Sequence, residues 1–119
     1  MQIRNFRSVK PVIMEGHGPT TLYQNIFGVM YKTDVPMKAF TSFWKMTIKP
    51  GGTNKPHTHN DQEQIYMVVR GASTVMVGEE RQTAKAGDVI FLPPNVPHAV
   101  FNETKKPCVI VAVGAKLPA

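Results

Sequence analysis

The sequence predicts an all-β fold, a sandwich or barrel of roughly eight to ten short strands. Three observations carry the prediction. Short apolar runs alternate with polar residues at a period of two, which sends successive side chains to opposite faces of a strand. The 10 prolines and 9 glycines stand as punctuation between those runs, where turns are needed. No segment shows the 3.6-residue periodicity of an amphipathic helix.

The elements follow in order. Residues 1–35 give the weakest signal: IRNFRSVKPVIM accommodates a short strand, and GHGPTTLYQNIFGVMY alternates weakly between turn residues and β-formers. Beyond Lys38 the pattern sharpens. In AFTSFWKMTIK, Phe40, Trp44, Met46 and Ile48 fall on one face and Thr41, Lys45, Thr47 and Lys49 on the other, with Phe43 the exception. Pro50-Gly51-Gly52 ends that strand. KPHTH, a polar turn at Asn60-Asp61 and the strand QIYMVV come next, and Gly71-Ala72 turns the chain into STVMV. Gly78-Glu79-Glu80 reads as a hairpin turn returning through RQTAKA. Gly87-Asp88 turns into VIFL, PPNVP leads rigidly into HAVFN, and Pro107 precedes the strand CVIVAV.

The 119 residues make one domain, long enough to bury a core without staples. The formal net charge is +6, from 14 Lys and Arg against 8 Asp and Glu. These cations are scattered, with no run of five, so they read as a solvated basic surface with a mild preference for anionic small molecules and no nucleic-acid partner. The lone Cys108 in CVIVAV reads as a small buried hydrophobe. Without a disulfide framework the chain suits a reducing cytoplasm. MQIRNFRSVK lacks the apolar core of a secretory signal, and no stretch approaches the ~18 apolar residues of a membrane span. The expectation is a cytoplasmic protein with no membrane partner. Phosphate loops, CxxC pairs and nucleophile elbows have no counterpart here.

Chemistry concentrates in two short segments. GGTNKPHTHNDQEQIYMVVRG (51–71) and GDVIFLPPNVPHAVFN (87–102) hold three of the 4 histidines. His57 and His59 share one face of an extended strand and can offer two imidazoles to one ion at about 2.0–2.1 Å; the plainer reading is two incidental histidines at a strand end. A carboxylate and an amide, Glu63 and Gln64, follow, and His98 comes after the Pro-rich turn.

In their spacing these segments resemble the two motifs of the cupin superfamily, in its small single-domain form. Gly51, His57, His59 and Gly71 match the first, and Gly87, Pro93, His98 and Asn102 the second. Asn95 stands where glycine is usual, a mild departure because asparagine tolerates a left-handed backbone. PGGTNKPHTH is also similar to the corresponding stretch of germins. The resemblance implies a jelly-roll barrel of two antiparallel sheets with one divalent transition metal (Mn, Fe, Ni or Zn) in its mouth. Residues 38–114 would form the barrel core. Residues 1–37 would be an N-terminal extension that pairs with a partner subunit's sheet in a homodimer.

Counting back from Gly71 puts Gln64 at the family's usual carboxylate position. Glu63 fits only with a longer spacing, and strand neighbours point to opposite faces, so the two do not bind together. Strand parity favours His57, His59, Gln64 and His98 as the ligand set. Three imidazoles and a neutral amide leave a divalent charge uncompensated, which favours an anionic, chelating ligand. The function expected is Lewis-acid isomerase, lyase or ring-opening chemistry on a sugar acid or similar molecule. The alternatives are an Fe(II)-dependent dioxygenase and a non-catalytic metal or sugar-acid binding module.

Tyr66 shares the parity of Gln64 and reads either as a catalytic acid, base or donor or as a barrel-wall aromatic. Trp44, Phe40, Met46, Phe91 and Phe101 read as wall or core, His17 as a surface-loop histidine, and Tyr23 and Tyr31 as packing or interface residues.

Overall fold

A computed structural model describes residues 1–14, 17–28 and 37–118; Tyr31 lies outside them. After a 3₁₀ turn at Phe6–Ser8 come nine strands: β1 Thr21–Gly28, β2 Phe40–Ile48, β3 Thr53–His57, β4 Gln62–Arg70, β5 Ala72–Val77, β6 Glu80–Lys85, β7 Val89–Leu92, β8 His98–Phe101 and β9 Cys108–Lys116. They form two antiparallel sheets, β1-β2-β9-β4-β7 and β3-β8-β5-β6. The all-β, two-sheet architecture is the one the sequence predicts. Among the described residues no helix is long and apolar enough to cross a membrane.

Period-two patterning sets which side chains meet between the sheets. In β2, Ser42, Trp44, Met46 and Ile48 are buried in alternation. In β9, Cys108, Ile110, Ala112 and Gly114 alternate inward while Val109, Val111 and Val113 face out. Met46, Ile48, Val68, Cys108 and Ile110 are wholly buried and form the heart of the core. Burial pushes the Cys108 thiol up, consistent with its reading as a small hydrophobe.

Two aromatic residues depart from the sequence reading. Phe40 is 57% exposed, because the β2–β9 register shifts between Phe40 and Ser42 and breaks the face parity there. Phe91 faces solvent, while its neighbours Ile90 and Leu92 turn inward. An unbroken apolar run such as VIFL carries no alternation from which to read its inner face. Phe43, the exception in β2, turns outward and stacks on Phe6 with centroids 6.1 Å apart.

The turns are specified chemically. Val77 pairs with Glu80 across Gly78-Glu79, with Gly78 at φ 61, a two-residue hairpin loop. Asn95 has φ 63, the left-handed backbone its place in the motif requires. Gly71 has φ 76, and a Cβ there would meet the Pro107 carbonyl. Asn102 is wholly buried. Its amide donates to the Ile48 carbonyl at 3.0 Å and the Lys106 carbonyl at 2.7 Å, and its Oδ1 accepts from the Thr104 amide at 3.0 Å. That residue fastens the β8–β9 turn to the end of β2.

The N-terminal part takes a place in the wall. β1 pairs with β2 throughout its length. Val12 bridges Tyr23 of the same chain through two backbone hydrogen bonds of 2.9 and 2.7 Å.

Candidate metal centre

Two adjacent strands of the smaller sheet set the site. β3 and β8 run antiparallel with His57 directly opposite His98, and residues opposed in this way share a face. Their Nε2 atoms are 3.0 Å apart, with ring centroids at 4.2 Å. His59, just past the end of β3, has its ring 5.0 Å from that of His57 and 5.6 Å from that of His98. The Asn95 amide donates to the His59 carbonyl at 2.7 Å, so the left-handed turn before β8 is tied to the chain that carries the first histidine pair. The ligand atoms of His57, His59 and His98 all lie within 4.8 Å of one another.

The protonation chemistry suits a cation. His57 donates through Nδ1 to the Lys55 carbonyl at 2.8 Å, which leaves Nε2 as its lone-pair nitrogen. His98 is buried and its Nδ1 has no hydrogen-bond partner. Burial first, and then the neighbouring His57 and His59, push its pKa down to about 4; the Val96 backbone opposes this without making a hydrogen bond. His57 is lowered chiefly by burial, against the raising effect of the Lys55 carbonyl. His59 is lowered by burial, with Asp61 pulling the other way. The cluster is therefore neutral near pH 7, the form that binds metals. Two nitrogens sharing an ion at about 2.1 Å and a right angle would lie about 3.0 Å apart, so the observed Nε2 pair fits that demand.

Facing the histidines, the larger sheet contributes Gln64 and Tyr66 from β4, Trp44 from β2 and Tyr23 from β1, and His17 closes in from the preceding segment. Together with His57 and His59 these residues line a cavity of about 70 Å³. Gln64 is buried and its Oε1 has no hydrogen-bond partner, an omission that costs about 1–3 kcal/mol unless a donor or a cation meets it. Glu63 is exposed on the opposite face of β4. Among the described residues lining the cavity there is no carboxylate, lysine or arginine. The indole Nε1 of Trp44 is likewise buried without an acceptor.

Tyr66 stands with its ring perpendicular to His98 at 5.9 Å and to Trp44 at 6.3 Å. Burial, and secondarily Tyr23, raise its phenol far above the ordinary tyrosine range. It can donate a hydrogen bond here and cannot serve as a base near neutral pH.

His17 corrects the sequence reading. It is half-buried, its ring 4.9 Å from His57 and 5.5 Å from Tyr23, and it lines the cavity. No spacing relates it to the other histidines, because the fold brings it there through the N-terminal segment. Its one available signal was that the chain has few histidines and the other three are together.

Comparison with known proteins agrees with this architecture. The Cupin domain family model (Cupin_2) matches residues 44–114. A stretch of 46 residues is 35% identical to an uncharacterized protein of Methanocaldococcus jannaschii, covering 39% of this chain and 37% of that protein. The match thus spans little more than a third of that relative's length. Among solved structures, a predicted oxalate decarboxylase from Thermotoga maritima superposes with TM-score 0.82 at 21% identity, over 98% of this chain and 100% of that one. The polyketide cyclase RemF from Streptomyces resistomycificus gives TM-score 0.79 at 20% identity, over 99% of this chain and 82% of that one. At these identities the two structures speak to the fold.

Proposed function

The chain belongs to the cupin domain family, and from that premise we propose that it holds one divalent transition metal through His57, His59, His98 and Gln64 and acts on a small chelating anion. The observation that carries the reading is the orphaned Gln64 Oε1, buried beside a cavity that His57 and His59 line and no carboxylate does, with His98 clustered against those two histidines. Gln64 supplies an oxygen without supplying charge, so a bound divalent ion keeps its full +2 for an anionic ligand. When bound, that ion supplies Lewis-acid polarisation of the ligand's oxygens.

The chain's own residues do the rest. The Trp44 indole N–H, buried without an acceptor, is a donor for a ligand carboxylate. Tyr66, held protonated, donates in the same direction and steadies negative charge that develops on oxygen. Tyr23 donates to Asn54 Oδ1 at 3.0 Å, which fixes the wall beside His17. At about 70 Å³ the cavity is far below the ~300–1,000 Å³ of sites for larger ligands. It suits a small carboxylate or the reacting end of a sugar acid. Oxalate, the compound for which the Thermotoga neighbour is named, is an anion of that class. The reaction class this favours is isomerisation, lyase chemistry or ring opening, in a protein that works as a homodimer in the cytoplasm.

The test has two stages. Metal-reconstituted protein should retain close to one ion per chain, and Gln64→Ala should bind it at least about tenfold more weakly. Small 2-oxo and dicarboxylic acids should then raise the melting temperature of the metal-loaded form and not of the metal-free form. Turnover that proceeds without O₂ and survives exchange of iron for zinc or manganese supports Lewis-acid chemistry. Strict iron- and O₂-dependence would favour the dioxygenase, and stabilisation without turnover a binding module.

A further inference from the structure

Aromatic side chains gather outside the core, on the outward side of β1 and β2. Phe27 stands directly opposite Phe43, and Phe43 opposite Val113 of β9, so the three form one cross-strand row. Phe6 stacks on Phe43 from the N-terminal segment. Phe40 joins them, so that four of the 6 phenylalanines line a single cleft of about 500 Å³. That volume lies within the ~300–1,000 Å³ of small-molecule sites.

The cleft has a fixed wall. Gln24, buried in β1, donates through its amide to the Phe6 carbonyl at 2.9 Å and to the Val9 carbonyl at 3.0 Å. Arg4 donates to the Ile26 carbonyl at 3.1 Å. These bonds hold the 3₁₀ turn against β1, and the turn in turn holds Phe6 against the sheet. Charge in the cleft has one sign. Among the described residues that line it, Arg4 is the charged one and no carboxylate occurs. The Arg4 guanidinium lies 4.9 Å from the Phe27 ring centroid, and the Lys45 ammonium 5.7 Å from that of Phe6. Two of the rings thus each carry a cation.

We infer that this cleft is a second ligand site, which takes a hydrophobic carboxylate. Its apolar body lies against the phenylalanines, and its carboxylate faces Arg4. Aromatic rings reward a ligand that offers apolar area, and a carboxylate matches both the charge and the planar geometry of a guanidinium. A protein partner would have to project an apolar group with an acid beside it into the recess, whereas one small molecule carries both. Phe43 lines this cleft and its neighbour Trp44 the metal cavity, so the two sites lie on opposite faces of β2. The inference therefore stands apart from the reading of the histidines.

Amide chemical-shift mapping of the full chain tests it, with naphthoate as the probe and naphthylmethanol as its neutral counterpart. Naphthoate should saturate with a dissociation constant below about 1 mM. It should shift the amides of Phe6, Phe27, Phe43 and Val113 and leave those of His57 and His98 in place. The constant should be the same with zinc added and without it, so failure of the metal reading leaves this test intact. Arg4→Gln should weaken naphthoate about tenfold and leave naphthylmethanol within about twofold. Arg4→Lys keeps the charge and should cost no more than about threefold. Phe40→Ala removes an exposed ring and should weaken both probes about threefold. No saturation by ~5 mM, shifts confined to the histidine cluster, or an Arg4→Gln variant that binds naphthoate as wild type does would each overturn the inference. Shifts of the same amides with protein concentration alone would show the cleft covered by a second copy, and would overturn it too.

Discussion

On the inner face of β4, Gln64, Tyr66 and Val68 are buried among histidines and core aliphatics, while one position away Glu63, Ile65 and Met67 stand in solvent. Both rows belong to one strand of nine residues. The inner row grades from an amide whose oxygen has no hydrogen-bond partner to a valine in the core; the outer row runs from an acid through aliphatics to a base. Because side chains alternate, a slip of one residue in the pairing of β4 would exchange the two rows completely. The pairings to β7 and β9 on either side hold that register. What separates the buried Gln64 from the exposed Glu63 is parity alone.

The comparison breaks most completely at His98. Replacing it with alanine should take the protein from close to one ion per chain to nearly none after reconstitution and dialysis, read by elemental analysis. Retention of full occupancy would remove the inner face as a metal centre. Next in size is a contrast on β9, where Ile110 faces the core and Val111 the outside. Ile110→Ala should cost about 3 kcal/mol of unfolding free energy, and Val111→Ala roughly 0.5 kcal/mol when measured in dilute solution. Equal effects would mean that the outer row is packed in the isolated chain.

A finer contrast lies in the adjacent pair on β4. Gln64→Glu should tighten metal binding about tenfold and weaken stabilisation by anions, since the new carboxylate cancels part of the ion's charge; Glu63→Gln should change neither. Isothermal titration with zinc followed by melting in the presence of oxalate reads both effects. The last contrast is a pH dependence of the metal-free protein. Folded His98 titrates at about 4 against 6.5 for the free side chain, and His57 and His59 shift the same way. Between those values the unfolded chain binds more protons, so stability should fall as pH drops from about 6.5 to about 4 and level off below. Flat melting temperatures across that window would place the three histidines in contact with water.

Most of the strand order was legible because turn chemistry and alternation agree: Gly78, Gly87, Asn95 and Gly71 mark turns that the structure contains, and β2 alternates from Trp44 to Ile48 as read. His57, His59 and His98 could be grouped from spacing because the motif strands β3 and β8 are neighbours. Gln64 could be separated from Glu63 because the strand into Gly71 counts parity. Phe40 was misread because a bulge resets parity without leaving a mark in composition. Phe91 was misread because VIFL offers four apolar residues and no contrast. His17 was out of reach for another reason, since its place at the cavity depends on where β1 docks. The outer apolar face is hidden in the same way: Ile65, Met67, Val109 and Val111 look like core until the fold shows which side of the sheet they are on.

The position of β9 has a consequence for the order in which the molecule is assembled. β9 lies in the middle of the larger sheet, with β2 on one side and β4 on the other, yet it is translated after both. Until Cys108–Lys116 emerges from the ribosome, β1-β2 and β4-β7 are two separate hairpin-like pairs with no strand to join them. Gln64 then has no fixed neighbour at Gly114, and the wall opposite the histidines does not exist. Partners so distant in sequence make folding slow relative to a helical domain of similar size. The histidine cluster gains its facing wall only after β9 has been made.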